Sequence, residues 1–220
     1  MRFLAIALVI TAKGHLAAAS ENADLCDVAA LAAAKRFAVP EQVMLAIARV
    51  ESGRDGPQGV QPWPWAIHHA GESYWPASKE DATELVRSLR DAGGTNIDIG
   101  CFQLNLHWHG QAFATVDAMF DPAQNAEYAA RFLVEKHGEK GNWVDAVAAY
   151  HSATPEHARR YVERVEATLL ELAEGLGEDS LVEVAVRVNS FPLLQSGTTG
   201  SLASLVPRST GMTPLFLAVP

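Results

Sequence analysis

The chain is poor in the features that would make several common functions readable at once. It has no basic run, and Asp plus Glu outnumber Lys plus Arg by 26 to 17. That balance argues against a nucleic-acid binder and does not favour an anionic membrane surface. Beyond the N-terminus there is no apolar run of the roughly 20 residues that a membrane-spanning helix needs. No Gly-x-Ser-x-Gly elbow surrounds a serine, which disfavours a serine-hydrolase triad. No His-Glu-x-x-His occurs, and His107 and His109, two residues apart, would not share a helix face, so no metal site and no cofactor are expected. There is no internal repeat. Cysteine is limited to Cys26 and Cys101.

What is present begins with an export signal. Arg2 gives a weakly positive start, Phe3 to Ala12 is a short apolar stretch, and Ala17-Ala18-Ala19 supplies small residues for cleavage before Ser20. A first helix buried in the fold is the other reading of this segment. No lipidation cysteine follows it, so a periplasmic protein without a membrane anchor is expected. Export would also permit a disulfide between Cys26 and Cys101, in place of two buried thiols. Such a bridge would tie the first helix to the centre of the chain.

The mature region, residues 20–175, reads as one helical domain. Residues 23–37 are alanine-rich, with Leu25, Val28, Ala29, Ala32 and Phe37 forming an apolar face. Pro40 restarts a helix in which Val43, Ile47 and Val50 recur at helical spacing up to Glu51. Residues 54–77 read as irregular, rich in Pro, Gly and Trp. Ser78 to Asp81 resembles a capping box for a helix to about Arg90. Asp121-Pro122 opens another to about His137. Residues 142–151 form a short helix, and Thr154-Pro155 starts the last, to about Glu174. Residues 176–220 have few charges and no sustained period apart from a short strand pattern at Leu181–Val188. They read as a mostly disordered tail, either a flexible extension without function or a partner-binding segment that orders when bound.

Glu51 stands at the end of an apolar helix, where the helix dipole disfavours negative charge. An apolar groove wall would raise its pKa further. That is what a proton donor for a leaving glycosidic oxygen requires. Asp55 and Asp98 are the nearest candidates for a second carboxylate. Asp55 lies in a Gly-rich turn, and Asp98 is expected to be structural. Trp63, Trp65, Trp75 and Trp108 are candidates for stacking on sugar faces. Trp63 and Trp65, flanked by prolines, are expected to be the most exposed. Cys101 with His151 as a papain-like pair is disfavoured by the apolar flanks of the cysteine.

Three ordered segments, Glu51-Ser52-Gly53, Gly100-Cys101-Phe102-Gln103-Leu104-Asn105 and Ala148-Ala149-Tyr150-His151-Ser152, resemble those of the soluble lytic transglycosylases, goose-lysozyme-like enzymes of peptidoglycan. The resemblance covers roughly residues 25–170. It implies a mainly α, lysozyme-like domain with a cleft, and a single glutamate, Glu51, acting first as acid and then as base. It assigns Gln103 and Asn105 to N-acetyl or hydroxyl groups, and Gly100 to close approach of backbone to sugar. Tyr150 would orient Glu51 or the substrate. His151 replaces the family's usual Asn. Tyr161, in the closing Tyr-Val segment, would contact the site, and Ser52 would position a water or the N-acetyl group. The central segment and the Trp-Pro-Trp run look like an alphaproteobacterial subgroup with members tied to the flagellum. That likeness implies glycan strands as substrate and flagellar rod or rod-scaffolding proteins as partners of the tail. A hydrolytic muramidase and an inactive wall-binding scaffold are the competing readings.

Overall fold

A computed structural model of the chain describes residues 12–56 and 59–175, within the first of two units, which ends at Gly175. The first eleven residues of the expected signal lie outside the described residues, as does the whole of the 176–220 tail with its strand pattern.

Helix α1 (Ala12–Phe37) is long and Ala-rich. Cys26, Ala29, Ala30, Ala33 and Ala34 are its buried stripe, while Leu25 and Val28 are 42% and 65% exposed. Ala32 is exposed as well. The expected face is therefore rotated towards the small residues. Alanines let neighbouring backbones come close, and α1 packs on α2 (Glu41–Ser52) and on α6 (Pro122–Lys140), which offers Ala126, Ala129 and Ala130. Arg49 of α2 holds Asp27 of α1 through two hydrogen bonds of 2.8 Å.

After α2 the chain forms small antiparallel sheets that its sequence pattern does not show. A hairpin joins β1 (Arg54–Gly56) to β2 (Gly59–Gln61). A second sheet has the order β4-β3-β5-β6, built from β3 (Ile67–His69), β4 (Glu72–Tyr74), β5 (Ile97–Ile99) and β6 (Leu104–Asn105). Strands of two or three residues are too short to show a period of two, so 54–77 looked irregular.

Helix α3 (Lys79–Asp91) starts where expected, with the Ser78 side chain accepting from the Asp81 amide. Two short helices follow, α4 (Leu106–His109) and α5 (Val116–Met119). The Asp121 side chain caps α6, which ends at Gly141 in the left-handed conformation. Asn142 caps α7 (Trp143–His151), and α8 (Pro155–Gly175) closes the described domain. The core gathers Met44 and Ile47 of α2, Ile97 and Ile99 of β5, Phe102, Leu133 and Tyr161. Cys26 and Cys101 are disulfide-bonded, with Cα atoms 5.6 Å apart.

Candidate active site

Glu51 lies in the last turn of α2, which ends because Gly53 turns extended. A Cβ at Gly53 would sit 2.1 Å from the Arg49 carbonyl oxygen, so only glycine lets the chain leave the helix there. Glu51 thereby opens onto a cleft of about 670 Å³, walled by β3, β5, α4, α7 and α8. Burial pushes its pKa up from 4.5 to about 7, and the carboxylate of Asp98 adds to the rise. The Tyr161 hydroxyl and the Arg164 guanidinium oppose it. Tyr161 is fully buried, and its hydroxyl forms no hydrogen bond of normal geometry among the described residues. It sits close enough to bias the Glu51 carboxylate towards ionisation, which makes it a donor held in reserve for the charged form.

Gln103 reaches the same cleft from the turn Gly100–Gln103, which a buried residue of α6 helps to hold. Asn125 of α6 accepts from the Phe102 amide at 2.9 Å. Its amide group donates to the carbonyls of Ile99 at 3.1 Å and Met119 at 2.9 Å. Gly100 has φ +82°, and a Cβ there would meet the Asn125 nitrogen at 2.8 Å. The left-handed φ and the packing against Asn125 each require a glycine here. The Tyr150 hydroxyl donates to the Phe102 carbonyl at 2.8 Å, so it holds the same turn. Gln103, at φ +44°, spends its amide donors on the carbonyls of Ala66 and Gly100. Its side-chain oxygen remains to accept from a ligand.

Asp98 and His68 are directly paired across β5 and β3, and both line the cleft. Asp98 accepts from the Asn105 amide at 2.7 Å. Burial raises its pKa, against the pull of Asn105, His68, His109 and His69. The Asn105 oxygen accepts from the amides of His107 and Trp108 and so starts α4. His109 exchanges a 2.8 Å hydrogen bond with the Tyr128 hydroxyl.

Compared with known families, the chain matches the one described as Transglycosylase SLT domain over residues 29–169. The chain belongs to that family. Membership makes the SLT domain a lytic transglycosylase, a lyase acting on peptidoglycan, with a mainly α, lysozyme-like fold. Curated proteins and solved structures give no match.

The SLT domain brings Glu51, Gln103, Asn105, Tyr150 and His151 to one cleft. It does not bring Ser52 or Trp63 there. Ser52 is buried, with its hydroxyl set between the carbonyls of Ala48 and Cys101 and accepting from the Trp63 amide. It joins α2 to the central turn and to the tryptophan loop. Trp63, expected to be exposed, is only 4% so; its indole donates to the Pro76 carbonyl and the Arg54 guanidinium lies 3.4 Å above its ring. Trp65 packs against the core. The cleft tryptophans are Trp75 and Trp108, the latter 74% exposed. Flanking prolines shape a loop without saying which way it faces. Asn105 has all its side-chain groups engaged, so it positions Asp98 rather than offering a free amide. Asp98, expected to be structural, faces the cleft. Tyr161 lies beneath the surface, and the His151 ring stacks on it at 4.3 Å, nearly parallel. The sequence reading also missed Arg164 and Phe132; helical spacing from Tyr161 to Arg164 is the one signal that places the arginine on the same face.

Proposed function

We propose that the SLT domain cleaves the MurNAc–GlcNAc β-1,4 bond without consuming water. Protonated Glu51 gives its proton to the glycosidic oxygen as the bond to C1 of muramic acid breaks. The substrate's N-acetyl group helps carry the positive charge. The carboxylate then takes the proton of the C6 hydroxyl as that oxygen attacks C1, leaving a 1,6-anhydro end and restoring the acid. Tyr161 and Arg164 stabilise the charged intermediate form of Glu51, and burial favours the neutral one. A single group poised between the two forms can serve both steps. The observation that carries this reading is the placement of Glu51 in the cleft, next to the buried Tyr161 hydroxyl.

Asp98 favours a second reading, a hydrolytic muramidase, because two carboxylates in one cleft are what an inverting or retaining mechanism uses. Mass spectrometry of muropeptides released from peptidoglycan separates the two. Anhydro ends, about 18 Da lighter than hydrolysis products by the mass of one water, are expected; reducing ends would mean a hydrolase. The N-terminal signal pattern supports a periplasmic location. The Trp-Pro-Trp segment and the tail support local wall opening for the flagellar rod, with residues 176–220 binding a rod or scaffold component. Deleting 176–220 should leave the cooperative thermal transition intact and weaken capture of that component. Loss of the transition would make the tail part of the core.

A further inference from the structure

Val144 and Leu170 are 56% and 67% exposed, and neither lines the catalytic cleft. Val144 forms one wall of a groove of about 60 Å³ between α2, α7 and α8, together with Val43, Trp143, Val162 and Leu169. Leu170 stands next to Leu169 on the outer surface of α8. Glu166 is the one charged residue in the lining. Val162, Glu166 and Leu169 recur at helical spacing and share a face of α8. Arg164, two residues on from Val162, projects roughly 200° round the helix axis, and it lines the cleft. The groove therefore opens on the side of α8 turned away from the catalytic site.

Its surroundings are acidic. Within three positions of a wall residue stand Glu41, Asp145, Glu163 and Glu171. Neither these nor Glu166 enter an ion pair among the described residues. Over the same span the basic residues are Lys140, Arg159, Arg160 and Arg164. Arg160 pairs with Glu156, and Arg164 belongs to the cleft side. The balance left around the groove is negative.

Charge and size then select the occupant. A second copy would bring like-charged rims together. Residues 176–220 hold Glu178, Asp179 and Glu183 against Arg187 and Arg208, so charge does not favour them either. A cavity of about 60 Å³ is well below the ~150 Å³ that accepts a benzene ring, so it takes the branched end of an aliphatic side chain and no sugar. We propose that this groove docks a basic helical segment of a partner protein, which inserts a Leu, Ile or Val beside Val144 and sets Lys or Arg against Glu166. Val144 and Leu170 would be covered by the apolar stripe of that helix. Docking here leaves the cleft open, so the enzyme can be held by its partner while it cuts.

Calorimetry on the full chain tests this with two synthetic helical peptides that share one leucine stripe, one flanked by lysines and the other by glutamates. The lysine peptide should bind roughly tenfold tighter than the glutamate peptide, and more weakly as salt rises. Val144→Asp and Glu166→Lys, both at exposed positions, should each weaken the lysine peptide roughly fivefold with melting temperatures unchanged. Asp91→Lys, an equal change of charge on α3, should leave its affinity within about twofold. Filling the cleft with chitotetraose should not displace it. Equal affinity for the two peptides overturns the proposal. So does an equal loss in E166K and D91K, which would mean diffuse attraction to an acidic chain, and so does displacement by chitotetraose, which would put the peptide in the cleft. A chain that sediments as a dimer until Val144 is replaced would make a second copy the occupant. Faster tryptic cleavage after Arg187 in V144D than in the unsubstituted chain would make residues 176–220 the occupant. Either result also overturns the proposal. None of these readouts requires cleavage of peptidoglycan, so failure of the catalytic reading leaves them standing.

Discussion

At the scale of single residues, Glu51 differs from any other helix-end carboxylate through burial. Its pKa of about 7 against 4.5 means that the proton donor is lost as pH rises through neutrality. The rate on peptidoglycan, as kcat/KM, should therefore show a basic limb with a midpoint near 7. Removing the Asp98 charge with Asp98→Asn should move that limb to lower pH, since Asp98 contributes to the rise. If Asp98 were instead a base for hydrolysis, D98N would abolish turnover. Stability carries the opposite face of the same shift. Between pH 4.5 and about 7 the folded state holds a proton that the unfolded chain has released. Stability thus falls as pH rises across that window, by up to about 3 kcal/mol. Glu51→Gln should abolish activity yet melt higher than the unsubstituted protein at pH 8, and melt nearly alike at pH 4.5. An active Glu51→Gln enzyme would contradict the catalytic assignment. The tryptophans separate in the same manner. Trp108→Ala should raise KM roughly tenfold, equivalent to ~1.4 kcal/mol, with an unchanged melting temperature. Trp63→Ala should chiefly lower the melting temperature, because its ring is buried and its indole is hydrogen-bonded.

At the scale of elements, the central turn is held from three sides: Asn125 on α6, Tyr150 on α7 and Ser52 on α2. None of these groups is free for substrate, yet together they aim Gln103 into the cleft. Replacing Asn125 by Ala would leave the Phe102 amide and two carbonyls buried without partners. Each such loss costs about 1–3 kcal/mol, so a fall in thermal stability is expected together with reduced kcat, read by calorimetry and muropeptide release. The helices themselves were legible in advance because they are long, capped by Ser78, Asp121 and Asn142, and separated by Gly or Pro. The sheet was not, because its strands are shorter than any pattern that marks them. The buried face of α1 keeps Ala29 of the expected set but turns away from Leu25 and Val28, because contact with the alanines of α6 favours small side chains.

At the scale of the whole molecule, the Cys26–Cys101 disulfide spans 75 positions and joins α1 to the catalytic turn. Closing a loop of that length removes unfolded-chain entropy worth about 4 kcal/mol. Reduction should lower the melting temperature and slow cleavage, and a Cys26→Ser, Cys101→Ser variant should match the reduced protein. Among the described residues no helix is long and apolar enough to cross a membrane. Arg164 of α8 lines the cleft together with the acids Glu51 and Asp98, so the cleft carries charges of both signs although the chain as a whole is acidic.

The sequence by itself determined the helical architecture, the family segments and their order, and the candidate acid, because caps, breakers and helical spacing are local properties. Only the tertiary structure decided which way each polar group points. Ser52 turned out to be occupied by backbone partners and Asn105 by backbone amides and the side chains of Asn96 and Asp98, Trp63 was buried where exposure was expected, and Asp98 entered the cleft. Those outcomes depend on contacts between residues far apart in the chain, such as Asn125 with Phe102 or His68 with Asp98, and spacing along a chain carries no record of them.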